Sequence, residues 1–382
     1  MAAALNILAD DLTALNAQGP AFVTLGEVMV RDTPADEERL ERTRQVHLSM
    51  AGSEFTLAMG LQRLGVQTAF ITRTPDNPYG WALRDLARSQ GIDTSHFVWA
   101  PRAELMGRLL YEIGRTPRKD LAYYQRMHSA ASRLGAGMVD WATALRNCRL
   151  LHASGITFGL STHSGYERNY CLEALSEALA ARPAGCLVGM DYNYRSTLWS
   201  GQQAVAVLTP LLVEHVDVLI TSIEDMAQLY GLGAGRYSAA DLVRGDFERI
   251  DDEDLVAFLQ GVLARFDLRI AAVTIRYPDT FEQHRWESAA LDTAGHYYRS
   301  EKVRTVVLSD RLGGGDTWNA GFYYGLLTES DPLAALRKGV QVGDALTLLK
   351  QTLMFDLPIV TKGEVQALLN AQAQGGGKRT ER

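Results

Sequence analysis

Residues 306–327 read VVLSDRLGGGDTWNAGFYYGLL and join an apolar run to a helical pattern through three glycines and an aspartate. The apolar run indicates a strand, and Trp318, Phe322 and Leu326 recur at helical spacing. Gly313, Gly314 and Gly315 therefore stand at a helix N-terminus, where unpartnered N–H groups and the helix dipole favour a closely approaching anion. Asp316, in the first turn, could accept a proton from a hydroxyl group that attacks a phosphate.

A simpler interpretation of this stretch is a tight turn in which Asp316 only caps the helix. Two other phosphate-binding motifs are excluded, because no Gly-Lys-Ser/Thr follows the glycines and no GxGxxG follows an early strand. The GLGAG at 231–235 follows a helical segment, IEDMAQLY, and is interpreted as a helix stop and loop.

The composition limits the class of protein. The chain has 382 residues, 47% of them hydrophobic and 22% charged, which is ordinary for a globular protein with one large domain. Its net charge of -7 argues against a nucleic-acid partner, which would require a basic face. Cys148, Cys171 and Cys186 lack CxxC spacing and are predicted to be buried thiols in a reducing cytoplasm.

The two ends of the chain differ from the rest. Residues 1–21 contain Asp10 and Asp11 without the basic start of a secretory signal, and we expect a poorly ordered leader. Residues 371–382 end in three glycines and KRTER, which predicts a flexible tail. No apolar run reaches about 18 residues, so neither a transmembrane helix nor membrane attachment is expected.

Between the ends, short apolar runs alternate with helical segments, which predicts an α/β fold with helices on both faces of a mainly parallel sheet. Predicted strands lie at 22–30, 66–72, 149–154, 186–192, 216–221 and 269–275, and predicted helices at 53–64, 78–90, 163–181, 202–214 and 252–265. Strand-like pieces at 43–50 and 105–126 break this alternation and predict a small β-sheet lid. SAALD and GHYYRSE, after Glu287, predict a β-hairpin.

The motifs together resemble the ribokinase-like (PfkB) carbohydrate kinases and, within them, the 2-keto-3-deoxygluconate kinases. DRLGGGDTWNAG (310–321) is similar to the family signature that holds the anion hole and the catalytic aspartate. Further similar motifs follow the order of the family: TLGEVMVRDTP (24–34), AGSEFTLAMGLQRLG (51–65), RTPDNPYGWAL (73–83), ASGITFGLS (153–161), DYNYRSTLWS (191–200) and VDVLITSIEDM (216–226). The resemblance covers about residues 22–370 and implies a three-layer α/β/α kinase domain with a β-lid.

The resemblance also implies a site for each ligand, with Asp316 as catalytic base and Gly313, Gly314 and Gly315 as the anion hole. A sugar acid would lie between the main domain and the lid, and ATP with Mg²⁺ on the far side of the glycines. The implied substrate residues are Gly52, Ser53, Thr56, Leu109, Tyr124, Arg126, Arg195, Asp316 and Asp356. The implied nucleotide residues are Asn193, Arg195, Ser222, Arg276, Gly313 and Gly315, with Glu224 and Asp225 near the metal through water.

Several residues depart from the family pattern. In the family, an asparagine is usual at the position of Thr56, and a lid tyrosine that donates a hydroxyl is usual at the position of Leu109. Both departures remove a side-chain group that could hydrogen-bond to the sugar. Tyr111 shares a strand face with Leu109 by alternation and could substitute for it. Ser222 and Asp225 stand in place of the usual asparagine and glutamate of the metal and phosphate region.

The sequence therefore predicts an ATP-dependent kinase that phosphorylates a sugar acid, with 2-keto-3-deoxygluconate and its 6-phosphate as the expected pair. Arg126 and Arg195 suit a substrate carboxylate, because guanidinium groups bind carboxylates in forked geometry. The alternatives are a fructokinase-like enzyme with a neutral sugar and a non-catalytic sugar or nucleotide sensor. A cytoplasmic homodimer that pairs through the lid is expected, because uncovered strand edges favour pairing.

Overall fold

The computed structural model describes Leu8 and residues 11–35, 38–244, 249–278 and 280–373. Parts of the two predicted terminal segments, residues 1–7, 9–10 and 374–382, lie outside the described residues. In the rest of the leader, Leu8 is buried and Asn16 exchanges hydrogen bonds of 2.9 Å with the backbone of Gly65 and Gln67.

The described strands are β1 (Phe22–Leu25), β2 (Met29–Pro34), β3 (Val46–Ala51), β4 (Thr68–Ile71), β5 (Arg73–Pro75), β6 (Val98–Ala100), β7 (Arg108–Glu112), β8 (Leu121–Gln125), β9 (Leu150–Ser154), β10 (Leu187–Asp191), β11 (Val218–Thr221), β12 (Ile270–Pro278), β13 (Gln283–Asp292), β14 (Tyr297–Arg299) and β15 (Arg304–Val307). The described helices are α1 (Thr13–Asn16), α2 (Ser53–Arg63), α3 (Pro78–Ser89), α4 (Trp141–Ala144), α5 (Gly155–His163), α6 (Tyr170–Ala181), α7 (Gly201–His215), α8 (Ile223–Tyr230), α9 (Ala239–Arg244), α10 (Asp252–Phe266), α11 (Gly314–Thr328), α12 (Pro332–Gln351) and α13 (Lys362–Ala373).

The main sheet has the order β14-β13-β12-β11-β10-β9-β1-β4, with β15 paired to β13. The strands from β12 to β4 in this order are parallel, whereas β13 pairs antiparallel with β12, β14 and β15. Parallel strands that are buried on both faces read as continuous apolar runs. That pattern is the one that marked β9 and β11 in the sequence.

The central strands of the sheet contribute side chains to two hydrophobic cores. In β11, Leu219 packs into one core, and its neighbours Val218 and Ile220 pack into the other, because successive side chains point to opposite faces. The first core contains residues of α5, α6, α7 and α10, and the second contains residues of α2, α11, α12 and α13. The predicted three-layer α/β/α architecture is therefore confirmed.

A separate small sheet has the order β3-β2-β7-β8, which confirms the predicted second sheet. Its β2 strand corrects one prediction, because residues 22–30 form two strands in different sheets and not one. The chain leaves the main sheet after Leu25 at Gly26, where a Cβ atom would lie 2.4 Å from the Glu54 carboxylate. Glycine at this position therefore lets the chain pass close to the Glu54 side chain of α2.

Two other predicted boundaries were wrong. The helix predicted at 163–181 begins later, as α6 at Tyr170, because α5 ends at His163 and Gly165 has a left-handed φ of +68° that a continuing helix does not allow. The predicted hairpin of SAALD and GHYYRSE exists as β13 and β14, but β13 begins earlier, at Gln283, and pairs along its length with β12. Periodicity alone does not show where such a strand begins.

A buried ionic cluster joins the small sheet to the segment that precedes α11. Arg31, on β2, is fully buried and donates to Asp310 at 2.5 Å and to Asp356 at 2.6 Å. Its guanidinium group also lies 4.5 Å from the centre of the Tyr111 ring. Lys350, on α12, completes the cluster by donating to the backbone carbonyls of Asp310 and Leu312. The cluster therefore holds the start of the glycine turn against β2.

Replacing Arg31 by methionine should strongly destabilise the fold. The Arg31→Met substitution leaves Asp310 and Asp356 buried without their partner, which typically costs on the order of 3–5 kcal/mol. Urea denaturation measures the loss. The control is Arg84→Met, which removes an ion pair with the exposed Asp85 and should change the free energy of unfolding little. Equal effects of the two substitutions would contradict the assigned role of the cluster.

Candidate active site

The polar residues of the site gather where the parallel strands end. Asp191 ends β10, Asn193 follows it with a φ of +42°, and Ser222 follows β11. Ligands of open α/β sheets usually bind at this edge. The first turn of α11 faces the same region, because Asn319 on that helix donates to Asp191 at 2.8 Å.

Each glycine of the turn has its own structural reason. Gly313 has a φ of +74°, and a Cβ atom there would lie 2.5 Å from the carbonyl oxygen of Asp356. A Cβ atom on Gly314 would lie 2.5 Å from the Gln351 side chain. A Cβ atom on Gly315 would meet no protein atom within 4 Å. Gly313 and Gly314 are thus required by packing, whereas Gly315 leaves open space at the helix N-terminus.

The backbone of this turn presents donors to that open space. In the described chain, no hydrogen bond is donated by the N–H groups of Gly313, Gly314, Gly315 and Asp316, and the α11 ladder begins with Thr317 N–H bonding to the Gly313 carbonyl at 2.9 Å. Such groups, reinforced by the helix dipole, form a site for an anion.

The carboxylate of Asp316 is held by a relay of side chains. Ser53 Oγ donates to Asp316 Oδ1 at 2.5 Å, and Asn193 Nδ2 donates to Ser53 Oγ at 3.3 Å. Burial raises the pKa of the Asp316 carboxyl, while the bond from Ser53 and the charge of Arg195 act against the rise. A raised pKa makes the carboxylate a better proton acceptor once it is ionised.

Asp316 lies between two cavities. The larger, of about 510 Å³, is bordered by the glycine turn and the ends of β10, β11 and β12. All the predicted nucleotide and metal residues line it: Asn193, Arg195, Ser222, Glu224, Asp225, Arg276, Gly313 and Gly315. The smaller, of about 100 Å³, lies between α2 and the small sheet. Eight predicted substrate residues line it: Gly52, Ser53, Leu109, Tyr124, Arg126, Arg195, Asp316 and Asp356.

Thr56 is the predicted substrate residue that neither cavity includes. It is fully buried in α2, and its hydroxyl oxygen has no partner among the described residues. Tyr111, which could have replaced the lid tyrosine, is also buried and stacks on Arg31 outside the smaller cavity. The departures at Thr56 and Leu109 are therefore not compensated by Tyr111.

The two predicted arginines differ in their surroundings. Arg126 is buried, and its Nε and Nη2 atoms lie 2.7 and 2.5 Å from one oxygen of Glu27. Arg195 is exposed, donates to the Tyr194 carbonyl at 2.9 Å and lines both cavities. Arg195 is thus placed to face a ligand in either cavity, whereas the charge of Arg126 is largely balanced.

The sequence analysis missed several polar residues of the site. Asp191, Asn319, His284 and Arg311 line the larger cavity, and Glu27 and Glu54 line the smaller one. Asp191 could have been found from its place at a strand end in DYNYR. Glu27 and Asn319 gave no such signal, because neither ends a predicted strand and each resembles an ordinary polar surface residue in sequence.

Oxygen atoms suited to a hard cation line the larger cavity. Asp191, Glu224 and Asp225 contribute carboxylates, and Asn319 Oδ1 is buried without a partner in the part of the chain described. Burial, with the nearby charge of Asp316, raises the pKa of Asp191 to about 7. An oxygen-only set of this kind fits Mg²⁺, which usually also keeps several waters. Among the described residues, no group of three or more His, Cys, Asp or Glu side chains is arranged to hold a metal ion by itself.

Comparison with known proteins identifies the family of the chain. The sequence pattern of the pfkB family carbohydrate kinases matches residues 21–245. The chain belongs to this family. It is an ATP-dependent carbohydrate kinase, and the glycine turn and Asp316 lie in its candidate active site.

Individual pfkB relatives cover almost the whole chain. A 2-dehydro-3-deoxygalactonokinase of Haloferax volcanii is 28% identical over 93% of this chain and 98% of its own length. A 5-dehydro-2-deoxygluconokinase of Clostridium botulinum is 25% identical over 89% of this chain and 90% of its own. The solved structure of a 2-dehydro-3-deoxygluconokinase from Thermotoga maritima has a TM-score of 0.80 and 27% identity, covering 91% of this chain and 98% of its own.

Adding a methyl group at Gly315 should impair catalysis without loss of stability. The Gly315→Ala substitution places its Cβ atom in open space on α11, and alanine favours a helix by about 1 kcal/mol over glycine. The methyl group would obstruct a phosphate at the turn, so we expect turnover to fall roughly 100-fold, as on loss of one anion-hole donor. Thermal unfolding and ADP release measure the two effects.

The control for this substitution is Gly261→Ala on α10, where the new Cβ atom would only reach van der Waals contact with Leu232. It should raise the stability by a similar amount through the higher helix propensity of alanine and should leave the activity unchanged. Unimpaired turnover of Gly315→Ala would refute the assignment of the turn to phosphate.

Glu54 should make stability depend on pH. It is buried beside Asp316, and Ser154 donates to it at 2.7 Å. Thr157 also donates to it. Burial raises its pKa to about 7. The folded state therefore holds this proton more tightly than the unfolded chain, in which the ordinary pKa is 4.5. The penalty on the free energy of unfolding is absent at lower pH, grows between these two pKa values and is complete above pH 7.

The Glu54→Gln substitution removes this titration and keeps an acceptor for Ser154 and Thr157. We expect the free energy of unfolding of the variant, relative to the original chain, to rise by on the order of 3 kcal/mol between pH 4 and pH 8. Urea denaturation at both pH values measures it. The titration of Asp191 contributes equally to both proteins, so it cancels in the difference between their free energies of unfolding. A difference that does not change with pH would show that Glu54 is not buried as a neutral acid.

Proposed function

We propose that this kinase transfers the γ-phosphate of ATP to the primary hydroxyl group of a sugar acid, with 2-keto-3-deoxygluconate as substrate and its 6-phosphate as product. The observation that carries the proposal is the position of the Asp316 carboxylate, which borders both cavities beside the unpartnered N–H groups of the glycine turn. A nucleotide in the larger cavity and a sugar in the smaller one would meet at this residue.

Each group then has one task in the transfer. Asp316 accepts the proton of the attacking hydroxyl, and Ser53 keeps the carboxylate aligned through its 2.5 Å hydrogen bond. The N–H groups of residues 313–316 stabilise the charge on the migrating phosphoryl group. The narrow smaller cavity limits water beside Asp316, which would favour transfer to the sugar over hydrolysis.

The charges of the smaller cavity support a sugar acid as substrate. Arg195 has no carboxylate partner within ion-pair distance among the described residues, so its charge is available to a substrate carboxylate. Arg126 lies in the same cavity. Relatives named as kinases of 2-dehydro-3-deoxy sugar acids agree with this choice, as the 2-dehydro and 2-keto names denote the same group.

One observation favours a second candidate, a neutral sugar such as fructose. Glu27 balances the charge of Arg126, which leaves Arg195 as the principal cation facing the smaller cavity. A ketose with several hydroxyl groups could then compete with an acid.

For the metal, we propose that Asp191, Asn319, Glu224 and Asp225 hold Mg²⁺ with the phosphates of ATP, partly through water. When bound, the cation would neutralise charge on the β- and γ-phosphates. A carboxylate such as Asp191, with its pKa near 7, would lose its proton as the cation binds.

We also propose that two chains pair through the outer face of the small sheet. Leu48, Asp32, Leu110 and Tyr123 are in register across its four strands, on the face opposite Leu109 and Tyr124 of the smaller cavity. Leu48 and Tyr123 are about half exposed, at 51% and 55%. A second copy would cover these apolar side chains, and sedimentation velocity that found only a 42.0 kDa species would refute the dimer.

The three buried free cysteines fit a cytoplasmic location.

No membrane role is part of this proposal, and none of the described helices has the length and apolarity needed to cross a bilayer.

The proposed function is tested by ADP release with Mg-ATP over a panel of sugar acids and neutral sugars. We expect 2-keto-3-deoxygluconate to give the highest kcat/KM. The Asp316→Asn variant should lose at least 100-fold in kcat with each substrate, because it loses the proton acceptor, yet should bind ATP nearly as before. Near-normal turnover by this variant would refute the role of Asp316. Faster turnover of fructose than of every acid would favour the second candidate.

A further inference from the structure

Glu27 lies at the junction between the two sheets. It follows Gly26 after β1, and only 1% of its side chain is exposed. One carboxylate oxygen, Oε2, accepts from Nε and Nη2 of Arg126 at 2.7 and 2.5 Å. This pair fixes both side chains at the wall of the smaller cavity.

The other oxygen of Glu27, Oε1, has no hydrogen-bond partner among the described residues, although it is buried. A Cβ atom on Gly107 would lie 2.7 Å from it, so the glycine leaves room beside this oxygen. A buried acceptor without a donor is costly, and native structures normally satisfy such atoms with protein, water or ligand. Glu27 lines the smaller cavity, so a ligand bound there is a candidate donor.

We propose that Glu27 Oε1 accepts a hydrogen bond from a secondary hydroxyl group of the substrate, and that the Glu27–Arg126 pair is thereby a specificity determinant. The inference rests on the proposed function. With its primary hydroxyl group at Asp316, a sugar acid in the smaller cavity would also border Glu27, which lines the same cavity. An ionised carboxylate can accept a hydrogen bond from a hydroxyl group but cannot donate one, so Glu27 favours a substrate that carries a hydrogen-bond donor at that position.

Asp32 provides a matched control in the same sheet. Its Oδ2 accepts from Arg108 Nε at 2.5 Å, and its buried Oδ1 likewise has no partner within the described residues. It differs from Glu27 in lining neither of the two cavities and in lying on the outer face of the sheet. Substitution of Asp32 therefore shows the effect of losing a buried, ion-paired carboxylate alone. Substitution of Glu27 adds the loss of the proposed substrate contact.

The test compares kcat/KM for 2-keto-3-deoxygluconate and for two analogues that each lack one secondary hydroxyl group, using the original chain, Glu27→Gln and Asp32→Asn. In the original chain, one analogue should lose roughly 10-fold or more in kcat/KM relative to the full substrate. In Glu27→Gln this ratio should fall by at least threefold, because the charged acceptor is gone. In Asp32→Asn the ratio should stay as in the original chain.

The outcomes separate this inference from the proposed function. No ADP release with any sugar acid would refute the proposed function. Activity of the original chain with an equal loss on all three substrates in Glu27→Gln would refute the inference alone, since a purely structural role lowers kcat/KM uniformly. A change of the ratio in Asp32→Asn equal to that in Glu27→Gln would also overturn it. If Glu27→Gln does not fold, Glu27→Asp, which keeps the charge but withdraws the oxygens, should reduce the same ratio.

Discussion

The contact of Arg31 with Asp310 and Asp356 is the constraint on which the site depends. A turn of three glycines has little conformational preference of its own, so other parts of the chain must fix it. Asp310 fixes the segment before the turn and also accepts a hydrogen bond from the Leu312 N–H at 3.0 Å. Asp356 fixes the turn through its backbone, which packs against Gly313. Lys350 holds the carbonyls of Asp310 and Leu312 inward. With these carbonyls occupied, the N–H groups of the turn remain for a ligand.

The same cluster explains why the small sheet belongs to the site and is more than a cover. Arg31 stands on β2, so the strand that supports the glycine turn also carries one side of the smaller cavity. On the nucleotide side, the loop between β7 and β8 reaches the main domain, where Thr116 donates to Glu282 at 2.5 Å and Asp120 accepts from Arg311 at 2.6 Å. A shift of the small sheet would therefore alter both cavities together.

The electrostatics of the site follow from burial in an acidic chain. Asp316, Asp191 and Glu54 are crowded into one region, and burial raises the pKa of each. Such crowding costs stability and marks functional sites. A bound cation and the guanidinium of Arg195 would offset it, whereas the charge of Arg126 is already balanced by Glu27. Local cations, rather than net charge, thus provide the affinity for anionic ligands.

The sequence by itself determined the class of fold and the centre of the site. Continuous apolar runs predicted strands buried on both faces, and the three glycines before Asp316 predicted a helix N-terminus open to an anion, because both patterns are local. The tertiary structure decided what depends on distant parts of the chain. It divided 22–30 between two sheets, placed Thr56 outside the cavities and left one oxygen of Glu27 without a donor. Those outcomes depend on contacts between segments that are distant in sequence, and such contacts cannot be predicted from the local pattern of residues.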